Sequence, residues 1–296
     1  MTSEPTSGME DISIIVPVYN HERTVAEALD SILIQEMPYS SGIYCFDDCS
    51  SDGSAQVLEE YRARLPDRIR VFRTPRNLGT GRAAQYFHRV SLPGRYWCML
   101  EGDDYWTHPA KLKTQIDFLE QHPQFVGCSC RTTIIDETTG QQGLIAPSRD
   151  EWSVLDMLVL RRRHVFYVHT SAIVWRNIHK ATGFHFPPLY EKHGTGDTML
   201  LHMMLMNGGL MKNIPQPMSC YRITGKGRWS KLSATEQRAF NKSLTRRLLA
   251  VIPRRILAIA LLNRAMMVLQ RILPSRLFAL VRALSKPLPR PVNADY

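Results

Sequence analysis

The segment Leu100-Glu101-Gly102-Asp103-Asp104-Tyr105-Trp106 puts three carboxylates into four consecutive positions. Clustered carboxylates repel one another unless a cation sits between them. Oxygen ligands without Cys or His suit Mg2+ or Mn2+, ions usually held by one or two protein carboxylates together with substrate phosphates. A helix-capping acidic loop is the alternative for the same residues. The run before it, Tyr96-Trp97-Cys98-Met99-Leu100, is apolar and bulky, as a buried strand should be. After it, Pro109 opens a pattern in which Leu112, Ile116 and Leu119 share one helical face. Acidic side chains at the carboxyl end of a buried strand stand where open α/β sheets bind ligands.

The surrounding elements repeat that logic. Ile12–Val18 is a continuous β-branched run, the mark of a strand covered on both faces. Val25, Ala28, Leu29, Ile32 and Leu33 then recur at helical spacing. Ile43–Phe46 predicts a second strand, Val57 to Leu65 a second helix, Ile69–Phe72 a third strand and Gly79–Val90 a third helix. Four such alternations in about a hundred residues predict a parallel sheet with right-handed crossovers. Each of the first four strands ends in polar residues: Tyr19-Asn20, Asp47-Asp48, Arg73 with Asn77, and Glu101 to Asp104. Gathered on one sheet edge, these make the shape of a nucleotide site, without the Gly-x-Gly-x-x-Gly fingerprint of dinucleotide folds. Further on, Val126–Ile135, Thr170–Trp175 and Leu210–Tyr221 read as extended, and Thr195-Gly196-Asp197 reads as a helix start.

The formal charge of +10 belongs to the end of the chain. Residues 242–296 hold eleven Lys or Arg and one acid, Asp295, so the remainder is neutral overall. In that tail apolar and basic residues interleave, and Pro253 and Pro274 divide it into helices. A basic amphipathic helix of this kind fits an anionic membrane surface, with packing on the body or in an oligomer as the alternative. Nucleic acid is not expected, because Phe278 is the only aromatic residue there before Tyr296 and stacking would be poorly served. No apolar run is long enough to span a bilayer, and Met1 to Asp11 lacks the apolar core of a signal peptide. Six cysteines at spacings that match no zinc site are expected to be reduced thiols. The domain reading is a flexible 1–10, a body over 11–240 (nucleotide half 11–108, acceptor half 109–240) and the tail 241–296.

ISIIVPVYN at 12–20, DDCSSDGS at 47–54, NLGTGRAAQ at 77–85 and LEGDDYWTHPAKLKTQ at 100–115 resemble family 2 glycosyltransferases, as do GDTMLL at 196–201 and YRITGKGRWS at 221–230. The resemblance covers roughly residues 11–230, with the motifs in order. It implies a GT-A fold, an α/β Rossmann-like, mostly parallel sheet flanked by helices. It also implies sugar transfer from a nucleotide-sugar, a UDP-sugar by preference, with inversion at the anomeric carbon.

Residue by residue, the resemblance assigns Pro17, Tyr19 and Asn20 to the nucleobase, with a core aromatic as the alternative for Tyr19. It assigns Asp48 to the uracil imide N–H, a role that suits a group offering only acceptors. Asn77, Gly79 and Arg82 would follow the nucleotide, although Arg82 equally suits a solvated helix face. Glu101-Gly102-Asp103 fills the place of the Asp-x-Asp motif, with Asp103 as metal ligand and Glu101 at the ribose. Asp104 is expected to orient the loop, and Asp52 to cap the helix near Gly53. Asp197 is the expected general base, with a simple helix cap as its alternative, and Arg228 a phosphate contact, with surface packing as its alternative. Partners would be the nucleotide-sugar donor and a glycan or lipid-linked acceptor, at the cytoplasmic face of a membrane. A nucleotide-sugar-forming nucleotidyltransferase and a non-catalytic sugar- or lipid-binding module are the rival functions. The nucleotidyltransferase would need a glycine- and lysine-rich loop after the first strand, where Pro17-Val18-Tyr19-Asn20 stands.

Overall fold

The computed structural model describes residues 10–79, 92–147, 149–153, 156, 168–178, 201, 204–205, 209–225 and 232–250, with single positions at 258, 261, 265, 268, 269, 272 and 274. Within them one mixed sheet carries the fold, in the order β3-β2-β1-β4-β9-β6-β10-β5. The strands are β1 (Ile12–Val18), β2 (Ser41–Asp47), β3 (Ile69–Arg73), β4 (Tyr96–Met99), β5 (Tyr105–Trp106), β6 (Phe125–Asp136), β9 (Val174–Arg176) and β10 (Leu210–Ile223). Two short strands lie off this path: β7 (Gln142–Ile145) pairs with β6, and β8 (Glu151–Trp152) with β10. The pairings β1·β2, β2·β3, β1·β4 and β6·β10 are parallel, and the antiparallel ladders are short.

β1 earns its central place by composition. Ile12, Ile14, Ile15, Val16 and Val18 are all buried, so both faces of the strand are covered. Helix α1 (Val25–Leu33) lays Val25, Ala28, Leu29 and Ile32 into the same core, the stripe expected of a helix with one apolar face. Each such Ile or Leu contributes about 1.5–3 kcal/mol by leaving water. Helix α2 (Ser54–Arg64) adds Leu58 and Tyr61. Helix α3 (Lys111–Gln121) adds Leu112, Ile116 and Leu119. It begins two residues after Pro109, whose carbonyl instead accepts from Glu36 N–H at 2.9 Å.

One sequence expectation needs correcting here. Thr170–Trp175 is not one strand: Thr170–Ala172 form a 3-10 turn, and only Val174–Arg176 join the sheet. In that turn Ser171 gives its hydroxyl and carbonyl to Glu101, Asp104 and Trp106 rather than to a neighbouring strand. β10 is extended as read, with register shifts between Ile214 and Ser219, where Pro215 and Pro217 have no N–H to donate. The six cysteines are free thiols. Helix α4 (Ala234–Ala250) crosses position 240 without a break. The expected helix at Gly79–Val90 lies outside the described residues beyond Gly79.

Candidate active site

The carboxyl end of β1 is bracketed by both acidic segments. Pro17 C=O accepts from Gly102 N–H at 2.9 Å, and Val18 C=O accepts from Asp48 N–H at 2.9 Å. Tyr19, Asp48 and the Glu101–Asp103 loop therefore share one sheet edge. Tyr19 is 45% exposed, which removes the core-aromatic alternative. Asn20 sits in the left-handed region at φ 59°, which asparagine tolerates better than most residues. Its side-chain oxygen accepts from Ser51 N–H at 2.9 Å, and its own N–H donates to Ser50 Oγ at 2.9 Å. The turn after β1 is thereby tied to the turn after β2. Asp52 accepts from Ser54 N–H at 3.0 Å and from Glu22 N–H at 3.2 Å, so it braces the start of α2.

Asp48 is buried and organises the segment that follows β3. Its Oδ1 accepts from Thr74 Oγ1 at 3.0 Å and Leu78 N–H at 2.9 Å, and its Oδ2 from Gly79 N–H at 3.0 Å. Gly79, at φ 73°, takes a conformation that side chains with a Cβ rarely adopt. Asn77 and Gly79 thus stand at this edge through Asp48. A carboxylate has about four lone-pair sites, so this set leaves acceptor capacity on Oδ2.

The acidic loop separates its two aspartates. Asp104 is buried, and its Oδ2 accepts from Ser171 Oγ at 2.6 Å while its Oδ1 accepts from Arg222 N–H at 3.2 Å. Burial, with the charges of Asp103 and Glu101, pushes its carboxyl well above the usual range, against those two hydrogen bonds. Trp106 Nε1 donates to Ser171 C=O at 2.8 Å and Glu101 N–H to Ser171 Oγ at 3.3 Å, so one serine anchors the loop at three points. Beneath it, buried Lys111 lies 4.4 Å from the centre of the Trp106 ring and donates to Gln115 Oε1 at 2.8 Å. Gln115 in turn donates to Cys128 C=O and Ala172 C=O. Arg222 packs its guanidinium 4.6 Å from the Tyr105 ring and pairs with Glu27 and Glu137.

Asp103, in contrast, keeps 28% of its side chain exposed at the rim. Facing it is His21, with Nε2 3.7 Å from Asp103 Oδ2. Burial holds His21 below the usual histidine range, although Asp103 and Asp52 act the other way, which favours the neutral imidazole. Gly102 is required between them: a Cβ there would come 2.7 Å from His21 Nδ1 and 3.2 Å from Pro17 C=O. Among the described residues no three His, Cys, Asp or Glu side chains form a closed metal cage. A rim carboxylate on a half-built site still suits an ion that completes its shell with phosphate oxygens and water, so Asp103 fits Mg2+ or Mn2+.

Arg82, Asp197 and Arg228 lie outside the described residues. Sequence reasoning missed His21, Ser171 and Lys111. Ser171 reads as part of a strand, and nothing in the sequence singles out His21 or Lys111. His21 and Ser171 acquire their neighbours from distant segments, whereas Lys111 turns to near neighbours, Trp106 and Gln115, on a helix whose pattern does not mark it as buried.

The chain belongs to glycosyl transferase family 2, whose family model matches residues 13–183. It is 29% identical over 235 residues to an uncharacterised protein of Mycobacterium tuberculosis, covering 77% of this chain and 63% of that one. This chain thus spans less than two thirds of that relative's length. It is 33% identical over 145 residues to the putative glycosyltransferase EpsE of Bacillus subtilis, covering 49% of this chain and 51% of EpsE. Among solved structures, Staphylococcus aureus TarS 1-349 in complex with UDP-GlcNAc superposes with a TM-score of 0.60 at 18% identity, over 82% of this chain and 67% of that one. The mannosyltransferase PcManGT of Pyrobaculum calidifontis, with GDP-Man and Mn2+, gives 0.52 at 16% identity, over 97% and 84%. The fold is that shared α/β fold, GT-A.

Proposed function

We propose that the protein transfers a sugar from a nucleotide-sugar, preferably a UDP-sugar, to a hydroxyl of a glycan or lipid-linked acceptor, with inversion in a single displacement. The observation that carries this reading is the bracketing of β1: the Asp48 and Glu101–Asp103 segments hydrogen-bond to consecutive residues at its carboxyl end. In this reading Tyr19 and Asp48 bind the base, Asn77 and Gly79 line the nucleotide, and Glu101 binds the ribose. Asp103 holds Mg2+ or Mn2+, which when bound supplies positive charge to the departing diphosphate. Arg82 and Arg228 contact phosphate. Asp197 takes the proton from the acceptor hydroxyl on the face opposite the leaving group. A helix start favours its anionic, proton-accepting form.

The UDP preference draws on TarS, crystallised with UDP and with UDP-GlcNAc. The Mn2+ in the PcManGT complex is consistent with a metal at Asp103. For the tail, an anionic membrane surface on the cytoplasmic side is the proposed partner. Ala258, Leu261, Ala265, Val268, Leu269 and Ile272, the described helical positions beyond 250, are all apolar and all exposed. Their spacing is that of one helical stripe. Among the described residues no helix is long and apolar enough to cross a membrane.

A thermal-shift screen of nucleotide-sugars with and without Mn2+, followed by transfer assays on two variants, tests the catalytic reading. The matching donor should raise the melting temperature only with metal, and Asp103→Ala should abolish that gain and turnover. Asp197→Asn should keep the donor shift and lower kcat by about 100-fold or more. Normal turnover in Asp197→Asn would remove it from the base role.

A further inference from the structure

We propose that His21 is a second protein ligand, beside Asp103, for the divalent ion; the inference rests on the metal-dependent reading of this site. Nε2 of His21 and Oδ2 of Asp103 are 3.7 Å apart. That is too long for a direct hydrogen bond. Two donor atoms each about 2.1 Å from one ion lie roughly 3.0 Å apart at a right angle and about 4.2 Å apart when opposed. The observed gap lies between those two limits, so the two atoms are close enough to share one ion after a small adjustment of either side chain.

The backbone that carries the imidazole is also held in place from several sides. His21 N–H donates to Ser54 Oγ at 2.8 Å, while its carbonyl accepts from Thr24 N–H at 2.9 Å and Val25 N–H at 2.8 Å. The residue is thus fixed to the first turns of both α1 and α2. Nε2 is the nitrogen directed to the acidic loop; ligation through it puts the ring proton on Nδ1, which faces Gly102 and has no acceptor among the described residues. A ring wedged in this way costs little further entropy on binding an ion. Asp103 likewise has no described hydrogen bond that competes for Oδ2.

An imidazole beside a carboxylate makes the site softer than an all-oxygen one. Nitrogen ligation favours transition ions over Mg2+. The pair should therefore bind Mn2+ or Co2+ more tightly than Mg2+, with the remaining positions open to phosphate oxygens and water. Gly102 becomes a specificity residue by the same geometry, since any side chain there would displace the ring.

The test is Mn2+ titrated into the full chain, alone and with UDP. Free Mn2+ is followed by continuous-wave electron paramagnetic resonance, and the ligands of the bound ion by pulsed measurements. The unchanged chain should show nitrogen coupling to bound Mn2+, altered when its histidines carry heavy nitrogen. His21→Gln should lose that coupling and bind Mn2+ about tenfold more weakly. Bound Mn2+ without nitrogen coupling, or coupling that persists in His21→Gln, would overturn the assignment and leave Asp103 as the protein ligand. Failure of the unchanged chain to bind Mn2+ even with UDP would overturn the metal reading of the site itself. If His21→Gln fails to fold, absence of nitrogen coupling in the unchanged chain would still overturn the assignment, and Gly102→Ala, which displaces the ring, should weaken the coupling in its place.

Discussion

Asp103 and Asp104 are adjacent in the chain and opposite in environment. One side chain stands at the rim beside His21, and the other is buried under hydrogen bonds from Ser171 and the Arg222 N–H. Because burial disfavours charge on Asp104, its role is that of an acceptor that locks the loop, and a neutral amide can supply much of it. Asp104→Asn should therefore stay within about 1 kcal/mol of the parent in urea unfolding. Asp104→Ala, which orphans the buried Ser171 hydroxyl and the part-buried Arg222 N–H, should lose about 1–3 kcal/mol. Equal losses in the two variants would mean that the loop needs the negative charge. The same contrast explains why three clustered carboxylates need not make a three-ligand site: at least one serves as structure.

At the level of elements, what matters is where each one stops. β1 ends where Pro17 and Val18 give their carbonyls to the acidic segments, and α1 begins on the carbonyl of His21. α4 begins with a reciprocal capping box: Ser233 N–H donates to Glu236 Oε2 at 2.8 Å and Glu236 N–H to Ser233 Oγ at 3.3 Å. Ser233→Ala should destabilise that helix start by about 1 kcal/mol, read as faster amide exchange over residues 234–238. Unchanged exchange there would show that packing, with Leu244 buried, holds the helix instead. Because α4 runs through 240, the change from neutral body to basic tail falls inside a helix.

The whole molecule divides its charge. A body of balanced charge carries the site, and residues 242–296 carry the net +10. Two such tails would repel one another across a dimer contact, whereas an anionic lipid surface complements both the charge and the exposed apolar stripe. In vesicle co-sedimentation the full chain should bind phosphatidylglycerol far better than phosphatidylcholine, and less as salt rises. The triple variant Leu261→Glu, Val268→Glu, Ile272→Glu should lose that binding while keeping donor binding intact. Undiminished sedimentation of the variant would assign the stripe to packing within the protein or between copies.

Patterns with a short period could be read directly from the chain. β1 and α1 follow from unbroken β-branched and i, i+3, i+4 apolar runs, and the acidic loop from its position after a bulky apolar strand. The gathering of polar strand ends on one edge followed from alternation and the handedness of crossovers. Contacts between distant segments could not be read in this way. His21 meets Asp103 from 82 residues away, and Ser171 meets Asp104 from 67. Lys111 is a different case: its partners Trp106 and Gln115 are near in the chain, but its burial depends on the core that packs around them. Local sequence determines which backbone form is cheap and which face is apolar. Only tertiary packing decides which polar groups leave water together, because that choice depends on the neighbours each one finds there.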